Sequence, residues 1–229
     1  MRIQKYCSER GICSRREAEE YIQKGYIRVN GRVVHKLGTH INPETDTVKL
    51  SLPPQHAKNQ KKTICCYKPR GYTCSKARNE GPSVFSLFPQ WSGLNSVGRL
   101  DKESEGLLLL SNDGRITKAV TGNEHKIEKE YEVEIRERVT QEKLNILRNG
   151  IQIDNVFTLP AVTKKINDHK FQIILKEGKK HQIRRMADAV QWTITRLKRT
   201  RIGPITLRGL EPGKGRSITE NELRVIINS

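Results

Sequence analysis

Val97-Gly98-Arg99-Leu100-Asp101-Lys102-Glu103-Ser104-Glu105-Gly106-Leu107-Leu108-Leu109-Leu110-Ser111-Asn112-Asp113-Gly114 sets a cluster of charged side chains directly against an apolar run. Leu107 to Leu110 is far too short to cross a membrane and reads as a fully buried strand, bounded by Gly106 on one side and the Asn112-Asp113-Gly114 turn signal on the other. Asp101 therefore lies in a loop anchored by the core, where an acid is held in place.

The rest of the chain narrows what that acid acts on. Its 229 residues are enough for one sizeable core and a small accessory unit. Lys and Arg number 43 against 25 Asp and Glu, a formal net charge of +18, which suits a polyanion and makes nucleic acid the expected partner. A basic membrane-surface protein is the competing reading, but the opening residues Met1 to Tyr6 offer neither an amphipathic anchor nor a lipidation signal. No signal peptide or transmembrane segment is expected, and the cytoplasm is the expected compartment. The five cysteines, Cys7, Cys13, Cys65, Cys66 and Cys74, are an odd number without metal-ligand spacing, so reduced thiols and no metal are expected. Adjacent Cys65 and Cys66 fall on opposite faces of any strand that holds them. The zinc deaminase signature is absent as well.

Residues 1–52 read as a compact unit. Ser14 and Glu17 form a capping box that opens a helix with Ala18, Tyr21 and Ile22 on one face and basic residues on the other. Gly25 ends it, and Tyr26 to Val29 leads through Asn30-Gly31, a type I′ hairpin signal, into Arg32-Val33-Val34. Thr47 to Leu50 adds a strand. Residues 53–62 are polar and without periodicity, as in a linker, leaving 63–229 as the larger domain.

In that domain strand-like runs cover Thr63 to Tyr67, Leu107 to Leu110, Tyr131 to Ile135, Val162 to Ile166, Phe171 to Leu175 and Ile205 to Leu207. Helices interrupt them without regular alternation, so an α+β fold with a mainly antiparallel sheet is expected. Gln141 to Arg148 is one helix, and Thr219 with Glu222 caps a last one. Lys180 to Val190 reads as a helix whose Ile183, Met186, Ala187 and Val190 form an apolar stripe. Its Lys180, His181, Arg184 and Asp188 then share another face.

The opening stretch resembles the Gly-Arg-Leu-Asp-x-x-Thr/Ser-x-Gly-Leu-Leu-Leu-Leu-x-Asn-Asp-Gly motif of the RsuA-like family of RNA pseudouridine synthases. Lys129-Glu130-Tyr131-Glu132-Val133, Gly178 to Met186 and Leu197 to Gly203 resemble that family's later motifs in the same order, the last of them its final strand. Arg2 to Tyr6, Cys13 to Glu19 and Ile27 to Gly31 are similar to the alpha-L RNA-binding module of ribosomal protein S four. Ser96 stands where the family commonly has Pro. The longer Gly122 to Glu128 segment resembles the RluF-like subgroup, whose members act on large-subunit ribosomal RNA and in some cases a transfer RNA.

The resemblance implies an isomerase of structured RNA without a cofactor, since uracil is detached from ribose, turned and rejoined through carbon five with no atom gained, and a monomer is expected. It implies that Asp101 is the catalyst, that Arg184 pairs with it, and that Tyr131 stacks on the uracil and serves in removing the carbon-five proton. Leu197 is implied as the floor of the pocket. Arg99 either fills the space left by the flipped base or contacts a phosphate. RNA contacts are expected from Arg2, Lys5, Arg10, Arg15, Arg16, Lys24 and Arg28 in the module, and from Lys180, His181, Arg185 and Arg199 in the larger domain. His181 lacks a Ser or Cys partner in the sequence and is read as an RNA contact rather than a general base. Two other classes remain open: a non-catalytic ribosome-assembly factor of the same fold, and a glycosidase pairing Asp101 with Glu103 or Glu105.

Overall fold

The computed structural model describes residues 1–53, 61–122 and 127–228. Most of the expected linker, and the middle of the Gly122 to Glu128 segment, lie outside them.

The N-terminal part holds α1 (Ile3–Glu9), α2 (Arg15–Gln23) and a three-stranded antiparallel sheet of β1 (Ile27–Val29), β2 (Arg32–Val33) and β3 (Val48–Leu50) in the order β2-β1-β3. The capping box forms as the sequence predicts: Glu17 N donates to Ser14 Oγ at 3.2 Å and Ser14 N to the Glu17 carboxylate at 2.7 Å. Asn30 and Gly31 both take positive φ, as a type I′ turn requires. Ile3, Cys7, Ala18, Ile22 and Ile27 close a small core with no exposed surface. The predicted basic face of α2 is a correction: Arg15 and Arg16 are exposed in its first turn, but so are Glu19 and Glu20 farther along, and Lys24 pairs with Glu20 at 2.6 Å. Its positive charge gathers at one end of the helix.

The larger part is built on a nine-stranded sheet. In chain order come β4 (Thr63–Lys68), β5 (Asn95–Val97), β6 (Glu105–Ser111), α3 (Gly114–Thr121), β7 (Lys129–Ile135), α4 (Gln141–Asn149), the hairpin β8 (Gln152–Ile153) and β9 (Val156–Phe157), β10 (Val162–Asn167), β11 (Lys170–Leu175), α5 (Gln182–Ala189), β12 (Ile194–Ile202), β13 (Ile205–Thr206), β14 (Gly215–Ser217) and α6 (Glu220–Ile227). The sheet runs β10-β11-β7-β12-β6-β4-β14, with β5 beside β6 and β13 beside β12; β8 and β9 pair apart from it. Every pairing in it is antiparallel except β6 with β12. The expected α+β class is what the chain adopts.

Four consecutive leucines on β6 are buried on both faces, because alternate side chains enter different cores. Leu107 and Leu109 join Cys65, Ile116 and Ile226 under α3 and α6, while Leu108 and Leu110 join Cys66, Val84 and Phe88 on the opposite side. A third core, around Phe171, Trp192 and Met186, packs α4 and α5 against β7, β11 and β12. The central strand β12 has a charged sequence, Ile194-Thr-Arg-Leu-Lys-Arg-Thr-Arg-Ile202, that periodicity alone does not mark as a core strand. Asn112-Asp113-Gly114 does more than end a strand: Arg115 N donates to Asp113 Oδ1 at 3.0 Å, so Asp113 caps α3. The predicted helix from Lys180 is shorter, beginning at Gln182, with His181 left-handed at φ 53 just before it. Lys180 and His181 thus precede the helix that carries Arg184. The predicted stripe Ile183, Met186, Ala187 and Val190 is buried.

Candidate active site

The loop from Arg99 to Ser104 connects β5 to β6 and is held from below. Lys68 ends β4 fully buried, and its ammonium donates to the backbone oxygens of Ser104 at 2.5 Å, Pro69 at 3.0 Å and Lys102 at 3.4 Å. Burial pushes that ammonium down to about 8. Cys74 grips the other end of the loop, its Sγ within 3.4 Å of both Leu100 N and Leu100 O. Ser104 N donates back to Asp101 O at 3.0 Å, closing a turn that lifts the Asp101 side chain into a cleft. Neither Lys68 nor Cys74 was singled out from sequence. The Lys68-Pro69-Arg70-Gly71 run after a strand was the available signal.

The cleft encloses about 490 Å³. Asp101, Arg99, Tyr131, Arg184, Leu197, His181 and Arg199 all line it, so residues spread over a hundred positions of sequence converge there. The Asp101 carboxylate is 36% exposed rather than sealed from water. Arg184 Nε stands 3.9 Å from Asp101 Oδ2, while its Nη2 donates to Glu103 O and Ser104 Oγ, each at 3.2 Å. The pairing of Arg184 with Asp101 is therefore one long contact, and two further bonds of the guanidinium brace the loop. His181, expected only to touch RNA, brings Nε2 within 3.2 Å of Asp101 Oδ1, because the left-handed backbone before α5 swings the ring toward the loop.

Strand register places the remaining groups. Arg199 on β12 sits opposite Tyr131 on β7 and beside Gly106 on β6, and Leu197 follows on the same face two residues earlier. Tyr131 is half-buried and packs against the core that holds Leu197. Arg199 is only 5% exposed and its Nε donates to Leu107 O at 2.7 Å, so it belongs to the cleft floor and not to a phosphate-facing surface. Its Nη2 is buried without a partner among the described residues. Lys129 also lines the cleft, and burial, with Arg199 nearby, pushes its ammonium down to about 8. Arg185 departs from the expected phosphate contact: it binds Asp154 in the β8–β9 turn and donates to Lys180 O at 3.0 Å.

The cations expected to touch RNA in the N-terminal part, Arg2, Lys5, Arg10, Arg15, Arg16, Lys24 and Arg28, are all exposed, as is Lys180. A groove of about 950 Å³ separates α1 and α2 from α3; Lys5, Arg15, Lys62 and Lys118 line it, and it meets the cleft at Thr121 and Gly122. A second catalytic carboxylate from Glu103 or Glu105 does not materialise. Glu103 pairs with Arg70 at 2.9 Å, Glu105 bonds Arg196 and Tyr67, and neither lines the cleft.

Comparison with known proteins agrees with this architecture. The RNA pseudouridylate synthase family model matches residues 62–189 and the S4 domain model matches residues 1–48. The chain is 34% identical over 228 residues to the dual-specificity RNA pseudouridine synthase RluF of Escherichia coli K12, covering 97% of this chain and 77% of that one. It is 32% identical over 233 residues to ribosomal large subunit pseudouridine synthase B of Bacillus subtilis 168, covering 97% of this chain and 94% of the relative. A crystal structure of a pseudouridylate synthase superposes with a TM-score of 0.73 at 26% identity, covering 99% of both chains. A basic S4 domain followed by a synthase fold whose cleft opens beside a single loop-borne aspartate is what this sequence builds, and the chain belongs to the RNA pseudouridylate synthase family.

Proposed function

We propose that this pseudouridine synthase converts a uridine of large-subunit ribosomal RNA in the cytoplasm, with Asp101 as the catalytic carboxylate. The observation that carries the assignment is convergence: Asp101, touched by His181 and Arg184 on its two oxygens, shares one cleft with Tyr131 and Leu197. The ribosomal substrate is supported by the relative from Bacillus subtilis, whose name specifies the large ribosomal subunit. In this reading residues 1–52 hold the RNA by shape and phosphate while residues 63–229 perform the chemistry.

The reaction breaks the bond between ribose C1′ and uracil N1 and forms one between C1′ and C5, and the C5 hydrogen leaves as a proton that is balanced at N1. A carboxylate can drive it as a nucleophile at C1′, by adding to the uracil ring, or by taking the ribose 2′ proton. Arg184 and His181 fix the direction of that carboxylate. Leu197 forms an apolar floor for the flipped base, and the Tyr131 ring supplies a face for it to stack on. Tyr131 also carries the hydroxyl nearest in role to a proton acceptor at C5. Flipping costs a few kcal/mol, least for a uridine already in a loop or bulge.

The test uses tritium release from an unmodified large-subunit ribosomal RNA transcript labelled at uridine C5. The wild-type enzyme is expected to release tritium. Asp101→Asn, which removes the ionised carboxylate at nearly constant volume, is expected to abolish release while filter binding stays within about twofold. Turnover by that variant removes Asp101 from the mechanism. Silence of the wild-type enzyme on this transcript removes the ribosomal substrate.

A further inference from the structure

Phe157 is 64% exposed, more than any other large hydrophobic side chain among the described residues, and it lines the mouth of the cleft together with Leu159. Exposing a ring to this degree forgoes burial that an ordinary surface position would give to a polar side chain. The ring is not loose. It ends the β8–β9 hairpin, whose two turn residues Asp154 and Asn155 take φ of 45 and 60, a tight two-residue turn. Arg185 of α5 ties down Asp154, and Lys179 Nζ donates to Phe157 O at 3.0 Å. One edge of the ring rests on Gly150, where a Cβ would stand 3.2 Å from Cε1. The outer face is left open to solvent at the lip of the site.

We propose that Phe157 is a stacking platform for an unpaired nucleobase next to the uridine that enters the cleft. This rests on the reading that the cleft takes a flipped nucleotide of RNA, and it adds the recognition of a neighbour. Three features of the surface favour a nucleobase over another occupant. The ring is continuous with the cleft that holds Asp101, so a strand threaded there passes over it. Lys176, 3.9 Å from Glu128, lines the same mouth and Lys180 is exposed nearby, which suits a phosphate backbone, while Lys179 is held by Glu177 and Phe157 O. The hairpin also presents the ring already ordered, so stacking requires little further loss of freedom.

A second copy of the chain is the competing occupant, because Val156, Val162 and Ile166 extend exposed apolar surface toward the sheet edge. The experiment separates the two. Asp101→Asn protein is titrated into a ten-nucleotide single-stranded RNA of uridines carrying one central 2-aminopurine, whose fluorescence falls on stacking. Asp101→Asn alone is expected to quench the probe. Adding Phe157→Ala is expected to weaken binding about tenfold and abolish the quench, while Phe157→Trp retains both. The salt dependence is expected to stay the same in all three, since no phosphate contact is removed. Undiminished quenching by the Phe157→Ala double variant overturns the proposal. So does a shift from dimer to monomer in sedimentation with RNA binding intact. Because the probe is read without turnover, failure of the enzyme on ribosomal RNA leaves this measurement standing by itself.

Discussion

Lys129 is the side chain on which the electrostatics of the cleft bear most directly. It is 9% exposed, lines a site rich in cations, and its ammonium has no hydrogen bond or ion pair among the described residues. Burial, then the nearby Arg199, lowers its ammonium from the ordinary 10.5 to about 8. The unfolded chain therefore holds this proton up to a higher pH than the folded chain does. Between about pH 8 and pH 10.5 the unfolded state binds more protons, so this residue makes stability rise with pH; below pH 8 both states are charged and the full cost of burying the ammonium remains. Lys129→Met is expected to stabilise the fold at pH 7 by up to roughly 3 kcal/mol, with the gain fading as pH climbs toward 10. Urea titrations of both proteins at pH 7 and pH 9.5 measure it. A difference that does not shrink with pH assigns the effect to packing instead of charge.

At the scale of elements, the decisive contact is the one parallel strand pairing among the described residues, β6 with β12, because it sets the loop of Asp101 beside the strand of Leu197 and Arg199. Gly106 makes the approach possible: its φ is 108, and a Cβ there would lie 2.3 Å from Arg199 O. Neither backbone can retreat without breaking a ladder, so Gly106→Ala is expected to cost about 3–5 kcal/mol and to lower the melting temperature by roughly 6–20 °C. Calorimetry on the variant gives the answer, and an unchanged melting temperature shows that β12 has room to shift. The same pairing marks where the sequence stops being readable. Buried leucines, capping boxes at Ser14 and Thr219, and the Asn30-Gly31 turn follow local rules, and each appears where those rules put it. Family motifs supplied Tyr131, Arg184 and Leu197. The resemblance marks most of β12 as a strand where its charge hides it from periodicity, while the buried ammonium of Lys68 and the turn of His181 toward Asp101 depend on contacts between segments far apart in sequence, and no local pattern encodes them.

At the scale of the whole molecule, the charge is unevenly shared. Residues 1–52 carry ten Lys and Arg against six Asp and Glu, so most of the net +18 lies outside them. The two parts meet at α1 and α3, where Lys118 lies 3.7 Å from Glu9, and the cores on either side are separate clusters. An interface of that kind does not couple two folds strongly. Removing residues 1–52 is therefore expected to leave the remainder cooperative in a thermal melt while weakening RNA binding. Exposed Lys5 and Arg15 line the groove that leads to the cleft and exposed Arg16 follows Arg15, and losing contacts from about three such groups is expected to reduce the slope of log affinity against log salt by roughly 2–3. Filter binding of the truncated and full-length chains to the large-subunit transcript, from 50 to 300 mM salt, provides both quantities. Equal slopes with reduced affinity show that the S4 domain recognises RNA by shape without neutralising phosphate, and equal affinities show that the substrate is held by the synthase domain alone.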